Sequence, residues 1–498
     1  MPSSTFLAID LGAESGRAML GRLDDRLSLE EVHRFVNGPV RVGEHIHWDI
    51  LRLWAEIQSG LRMAAERSAG GLAGIGVDTW GVDYGLLDSA DRLLGNPYHY
   101  RDARTNGMIE AACEIVPREE IYNQTGIQFM QLNTLFQLFA MRRANEPILE
   151  LAHTFLTIPD LLNFWLTGRK ANEFTIATTT QCYNSREMRW AEEMLSALGI
   201  PTRIFQPVIQ PGTVLEQVRP WLAEESACGR VPVVAVGSHD TASAVAAVPA
   251  QGDDFIYISS GTWSLIGIES PQPIVNAASL EYNLTNEGGV SGDIRFLKNI
   301  MGMWLLQESR REWAHAGKNY SYDDLTRLAA EAPALKSMIC PGDYTFLAPG
   351  NMVERIQRFC QQGGQHIPQT DGEVVRCILE SLALEYRWNV EKLRELSGKS
   401  LPVIHIIGGG SRNRLLNQFT ADATGCAVVA GPVEATAIGN IIVQAAALGQ
   451  VASLAEGRAL IRKSFDVAIF EPGTPHKTRG ECCQAWEDAY GRYLNLRN

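Results

Sequence analysis

This chain of 498 residues is short of positive charge and has no paired-cysteine spacing, no long apolar run and no low-complexity segment. Its 57 acidic against 44 basic residues leave a net charge of −13, which argues against gripping a nucleic-acid backbone by bulk electrostatics. An anionic ligand must then be held by local N–H groups and a metal ion. The nine cysteines are odd in number and none stands at C-x-x-C spacing, which points to reduced thiols and a cytoplasmic setting. The best apolar run, Ala435 to Leu448, contains Asn440 and Gln444 and is too short to cross a bilayer, so it reads as a core helix and no membrane partner is expected. The opening MPSSTFLAID has no basic segment before an apolar one, so no signal peptide is expected. No His pair has zinc-ligand spacing. Three glycine motifs fail on inspection. Gly398-Lys399-Ser400 has Leu393 where a phosphate loop needs glycine, Gly408 to Gly410 is followed by Asn413 where a dinucleotide fingerprint needs glycine, and Gly12 to Gly16 carries its serine one position late for a nucleophile elbow.

What is present is ordinary globular composition, 45% hydrophobic and 20% charged, in a chain too long for one core. Two domains are expected, residues 1–248 and 249–498, with the boundary near Val248 to Gly252. Thr5 to Ile9 reads as a strand ending at Asp10. The glycine turn after it leads to a second strand, Arg17 to Leu23, so the unit is a hairpin. Phe255 to Ser259, the turn Ser260-Gly261-Thr262 and Trp263 to Ile268 repeat that order of parts without sequence identity. Two such hairpins, each offering turn N–H groups, could grip a polyphosphate from both sides. Residues 298 to 313 read as one helix with Asn299, Met303 and Gln307 on one face.

The stretch 232–248, PVVAVGSHDTASAVAAV, is the centre of the functional reading. A β-branched run, a break at Gly237 and an Ala-rich tail predict strand, turn and helix, with Asp240 at the helix start. There the helix dipole favours an ionised carboxylate that could take a proton. Taken alone, Ser238 or Asp240 fits a simple helix cap as well. DTWGVDYGLLD (78–88) places Asp78 and Asp83 near a strand end, and YRDARTNG (100–107), with Asp102, is a loop of the kind that holds a hydroxylated ligand.

Taken together, AIDLGAESGR (8–17), DTWGVD (78–83), YRDARTNG (100–107), SHDTASAV (238–245), SSGTWSL (259–265), NEGG (286–289), LKNIMGMWLLQ (297–307) and GGGSRNRLLNQ (408–418) resemble the sugar kinases of the FGGY group. The resemblance runs in order from about residue 6 to residue 445. It implies an α/β, two-domain actin/hexokinase-like (ribonuclease H-like) fold, with mixed sheets flanked by helices and with ATP and sugar in the interdomain cleft. In some relatives the last helix crosses back to the first domain, which here would fall within residues 477–495. The activity implied is ATP- and Mg2+-dependent phosphorylation of the C1 hydroxyl of L-rhamnulose, in L-rhamnose catabolism. L-fuculose or xylulose as the ketose, or an actin-like ATPase scaffold, are the alternatives. Either a monomer or a homodimer is compatible with the sequence.

By matching motif, Asp240 would be the catalytic base, and Gly81, His239, Thr241 and Asn299 would join it in contacting the sugar. Ala13, Glu14, Ser15, Gly16 and Arg17 would cradle the phosphates, Thr262, Gln307 and Gly409 would hold the nucleotide, and Asp10 would orient magnesium through water. Gly81 and Gly409 are also compatible with backbone geometry alone, Asn299 with a cap, Gln307 with a solvated helix position, Asp10 with a turn, and His239 with a hydrogen-bonded core residue. Glu14 departs from the family, which more often has a small hydroxyl residue there. Its carboxylate is expected to point away from the γ-phosphate.

Overall fold

Phe6, Leu7, Ala8 and Ile9 are all at most 1% exposed, so the strand Ser4–Leu11 needs apolar cover on both faces. The computed structural model, which describes residues 4–68, 70–473 and 479–497, divides the chain into two compact units. The first comprises Met1–Pro249, Glu269–Leu297 and Glu434–Phe465, and the second Ala250–Ile268, Lys298–Val433 and Asp466–Asn498. The first unit thus takes in two segments from beyond the boundary expected at 248, so membership does not follow chain order.

In the first unit the sheet order is Thr213–Gln217, Pro232–Ala235, Gly74–Thr79, Ser4–Leu11, Ser15–Leu23, Leu27–Val36. Ser4–Leu11 pairs antiparallel with Ser15–Leu23, as the hairpin reading predicts, and parallel with Gly74–Thr79 in a register that sets Asp10 beside Asp78. The helix Ile50–Arg67 turns Ile50, Leu53, Ile57, Leu61 and Ala64 inward at helical spacing and starts under an Asp49 cap that accepts from the Arg52 N–H at 3.2 Å. The helix Ala435–Ala447 is buried along most of its length and lies close against the sheet: a Cβ on Gly76 would come within 2.4 Å of Asn440 Oδ1. It also meets the helix Asp240–Ala246, where a Cβ on Gly439 would lie 1.7 Å from the Ser243 carbonyl oxygen.

The second unit repeats the arrangement. Phe255–Ser260 pairs antiparallel with Trp263–Ser270 and parallel with Val403–Ile407, which continues to Ala427–Ala430 and Ala468–Phe470. The helix Asp371–Ser397 opens with a Thr370/Glu373 capping box. The last helix is Arg479–Arg497; residues 477 and 478, included in the range expected for it, lie outside the described residues.

The segment read as a helix over 298–313 is corrected here. Ile294–Met301 is a strand and the helix is Trp304–His315, so Asn299 and Gln307 do not share a helix face. Gly302 separates the two because it sits where a Cβ would be 2.4 Å from Ser264 Oγ. A short apolar run fits both periods, and sheet pairing decided this one.

Candidate active site

In the first unit the residues singled out by sequence converge at the ends of three neighbouring strands. The strand Pro232–Ala235 runs parallel to Gly74–Thr79 and leads through Gly237 to the helix beginning at Asp240. No side chain caps that helix, so the plain capping reading of Ser238 or Asp240 does not hold. The connecting loop is instead tied from outside: Ser238 N–H donates to Glu173 Oε2 (3.2 Å), His239 N–H to Thr175 Oγ1 (3.2 Å), and the Ser238 carbonyl accepts from Thr79 N–H (2.9 Å). The Asp240 side chain keeps 29% of its surface exposed and accepts from Thr241 Oγ1 at 3.2 Å. Burial, and secondarily the Asp10 charge, raise its carboxyl above the usual range even though His239 opposes the shift. That makes it a better proton acceptor than a solvated aspartate.

Asp10, 5% exposed, receives Arg17 Nη2 at 2.6 Å, and Arg17 also pairs with Glu434. Asp78 is fully buried, accepts from Asn440 Nδ2 at 2.5 Å, and leaves Oδ1 without a hydrogen bond among the described residues. Burial first, then the charges of Asp10 and Asp240, push its carboxyl well above the usual range. Gln444, one turn after Asn440, braces that amide (2.7 Å) and donates to the Leu7 carbonyl (3.0 Å). Among the described residues no group of three or more His, Cys, Asp or Glu is arranged to cage a metal. A buried carboxylate with one orphaned oxygen beside Asp10 suits instead a hydrated Mg2+ carried by phosphates, an ion that keeps its water and takes one or two carboxylates. In the turn between the first two strands Glu14 is exposed while Ala13 and Ser15 are half-buried. Its backbone is held by Asn37, whose N–H donates to the Glu14 carbonyl and whose Nδ2 donates to that of Gly12.

The DTWGVD loop meets His239. A Cβ on Gly81 would be 3.4 Å from His239 Nε2 and 3.3 Å from Thr179 Oγ1, so any larger residue there would press on the histidine. Val82 has φ 67°, a strained value for a β-branched residue, and is clamped by Thr134 Oγ1 on its carbonyl (2.5 Å) and Thr179 Oγ1 at its N–H (3.3 Å). Asp83 is buried with four donors: Trp48 Nε1 (2.6 Å), Trp80 Nε1 (3.0 Å), Gln137 Nε2 (2.8 Å) and Tyr100 N–H (3.2 Å). Burial raises it to about 6. Asp102 accepts from Ile46 N–H and Arg104 N–H. Both carboxylates order their loops.

The sequence reading gave Asn440 and Gln444 no role in the site, and none to the hairpin that holds His239. Across the pair Thr285–Gly288 and Ile294–Met301, Glu287 faces Arg295. Arg295, 1% exposed, donates from Nη2 to His239 Nδ1 (3.0 Å) and Glu287 Oε2 (3.2 Å), and from Nε to the Gly288 carbonyl (2.9 Å).

In the second unit, the segments that bear Gln307 and Gly409 both dock on the hairpin turn that bears Thr262. The Thr262 carbonyl accepts from the N–H groups of Gly302 (3.2 Å) and Trp304 (3.1 Å), docking the helix that bears Gln307 onto the hairpin turn. Gln307 Oε1 is buried without a hydrogen bond among the described residues. The triple-glycine turn lies against the same hairpin: a Cβ on Gly410 would be 2.0 Å from Ser260 Oγ, whereas one on Gly409 would meet nothing within 4 Å. Asn299 lies in the strand that precedes this helix.

A buried pair behind the base loop yields a pH prediction. Asp160 and Glu173 are raised to about 8 and about 7, in both cases chiefly by burial. The folded protein therefore holds protons that the unfolded chain, with ordinary values of 3.8 and 4.5, has released. Stability from these groups is full below about pH 4 and is lost as pH rises towards 8. Thermal midpoints should fall between pH 5.5 and 8.5, and Asp160→Asn should shrink that fall. An unchanged slope would show that Asp160 is already ionised.

The model of the FGGY carbohydrate kinase N-terminal domain matches residues 5–247 and that of the C-terminal domain residues 256–448. The chain is 44% identical to a rhamnulokinase of Bacteroides thetaiotaomicron over 98% of this chain and 99% of that one. It is 43% identical to a rhamnulokinase of Oceanobacillus iheyensis over 93% and 97%. Among solved structures it is similar to a ligand-bound xylulose kinase of Lactobacillus acidophilus (TM-score 0.83, 16% identity, 99% and 98% covered). A Plasmodium falciparum glycerol kinase with ADP is also similar (TM-score 0.76, 17%, 99% and 98%). Two α/β units with mixed sheets flanked by helices are the fold these kinases share. Among the described residues no helix is long and apolar enough to cross a membrane.

Proposed function

The chain belongs to the FGGY family of carbohydrate kinases, and on that premise we propose that it transfers the γ-phosphoryl group of ATP to the C1 hydroxyl of L-rhamnulose, giving L-rhamnulose 1-phosphate and ADP. The acceptor assignment is carried by the 44% identity to a rhamnulokinase over 98% of this chain. The base assignment is supported by the raised, partly exposed Asp240 beside His239 and Gly81. Asp240 takes the proton of the attacking hydroxyl, while His239, Gly81, Thr241 and Asn299 contact the sugar. Residues Ala13 to Arg17 receive the phosphates, and Thr262, Gln307 and Gly409 hold the nucleotide, with the unpartnered Gln307 oxygen offering an acceptor. Asp10 would hold Mg2+ through water, and the ion would neutralise charge on the phosphates. Phosphoryl transfer asks mainly for alignment and charge neutralisation, which this set of groups can provide. Cysteines that are all free among the described residues support placing the reaction in the cytoplasm.

Exchanging one hydroxyl contact is enough to redirect such an enzyme. A panel of L-rhamnulose, L-fuculose and xylulose, followed by ADP release with the product's phosphate position determined, is expected to favour L-rhamnulose and C1. Equal or better turnover of another ketose would overturn the assignment.

A further inference from the structure

Resting on the reading above, we infer that Arg295 acts as a positioning residue that fixes His239 as the neutral tautomer protonated on Nε2, so that it presents a hydrogen-bond donor next to the base. A guanidinium has five N–H donors, no lone pair to offer, and does not deprotonate in proteins. Arg295 Nη2 stands 3.0 Å from His239 Nδ1 in hydrogen-bond geometry, so Nδ1 must be the acceptor and the ring proton sits on Nε2. Glu287 Oε2 is farther from Nδ1, at 3.3 Å, and is occupied by Arg295 Nη2 at 3.2 Å. The carboxylate therefore balances the buried guanidinium, and the guanidinium outcompetes it for the imidazole.

The remaining ring nitrogen faces the chemistry. Nε2 lies 3.5 Å from Asp240 Oδ1 and close to the space above Gly81. Protonated, it can donate to a sugar oxygen while Asp240 takes the hydroxyl proton. The opposite tautomer would set a lone pair against the carboxylate and the sugar oxygens. A doubly protonated ring would stabilise the Asp240 anion and weaken it as a base. The charged groups facing His239 are Arg295, Glu287 and Asp240, and the guanidinium, which can only donate, holds Nδ1 as an acceptor. The arrangement thus supplies a hydrogen-bond donor 3.5 Å from the base.

The test uses the full-length protein labelled with 15N-histidine, with the His239 signal assigned by its loss in His239→Asn. The expected wild-type spectrum shows an unprotonated Nδ1 and a protonated Nε2. Arg295→Met should hand Nδ1–H to Glu287 and reverse that pattern. It should lower kcat/KM for the ketose roughly 10- to 10²-fold, the range for removing a histidine's outer partner, with the KM for ATP within about 3-fold. Arg295→Lys, which keeps a donor, should restore part of both and serves if the methionine variant does not fold. A wild-type Nδ1 that carries the proton would overturn the inference, as would a reversed tautomer with unchanged kcat/KM. A wild type inactive on every ketose would overturn the kinase reading instead, and the spectrum alone would then decide the tautomer.

Discussion

Asp240→Asn is expected to lose at least about 10²-fold in kcat while the affinities for ATP and ketose stay within a few fold. The amide is isosteric, so the loop tied down by Glu173, Thr175 and Thr79 should keep its course. What goes is the proton acceptor, at a site where burial has already raised the carboxyl's affinity for the proton. The same burial sets the sign of the pH response. Below the raised value the wild-type carboxyl is protonated and cannot serve as base, so kcat should climb with pH on the acid side, and the residual activity of the amide should lack that limb. The measurement is steady-state kinetics across pH with both substrates varied. Near-normal turnover by the variant would leave Asp240 a spectator at the start of its helix.

Gly439→Ala should be the most damaging small substitution in the first unit. A methyl at Gly439 would lie 1.7 Å from the Ser243 carbonyl oxygen and 2.6 Å from its carbon. The obstacle is backbone in the turn-and-helix unit that carries Asp240, so no side chain can rotate away. Overpacking of this sort typically costs about 1–3 kcal/mol and sometimes more, and a rigid obstacle puts the expectation at the upper end, with kcat falling because the base helix is displaced. Gly491→Ala is the matched control: it is helical, with nothing within 4 Å of the added carbon, and should leave stability unchanged or slightly improved. Urea denaturation of both variants decides the matter, and equal midpoints would mean the two helices can separate freely.

How much of this could be read in advance varies with how local the signal is. Strand, turn and helix around Asp240 were legible because a β-branched run, a glycine and an alanine-rich tail each agree with the local backbone. Both hairpins were legible for the same reason. The role of residues 298–301 was not, because a short apolar run suits strand and helix alike and only pairing partners distant in sequence choose between them. Asn440 and Gln444 were noticed, but only as interruptions of an apolar run. Two amides one turn apart in an otherwise mostly apolar helix should have signalled a buried polar partner, here Asp78 and the Leu7 carbonyl. Arg295 gave no local sign, and Glu287 stood in the NEGG motif without an assigned role. A cross-strand charge pair is ordinary on a surface, and only its complete burial against His239 turns it into part of the site.

The helix Ala435–Ala447 belongs to the first unit, where it supplies Asn440 to Asp78 and covers the sheet at Gly76. During synthesis residues 1–249 therefore leave the ribosome without the helix that donates to the buried Asp78. Amino-terminal domains usually fold first as the nascent chain emerges. Here that head start is withheld until residues 435–447 have been made, so nascent chains stalled before residue 435 should remain sensitive to protease, and those stalled well beyond residue 465 should resist it.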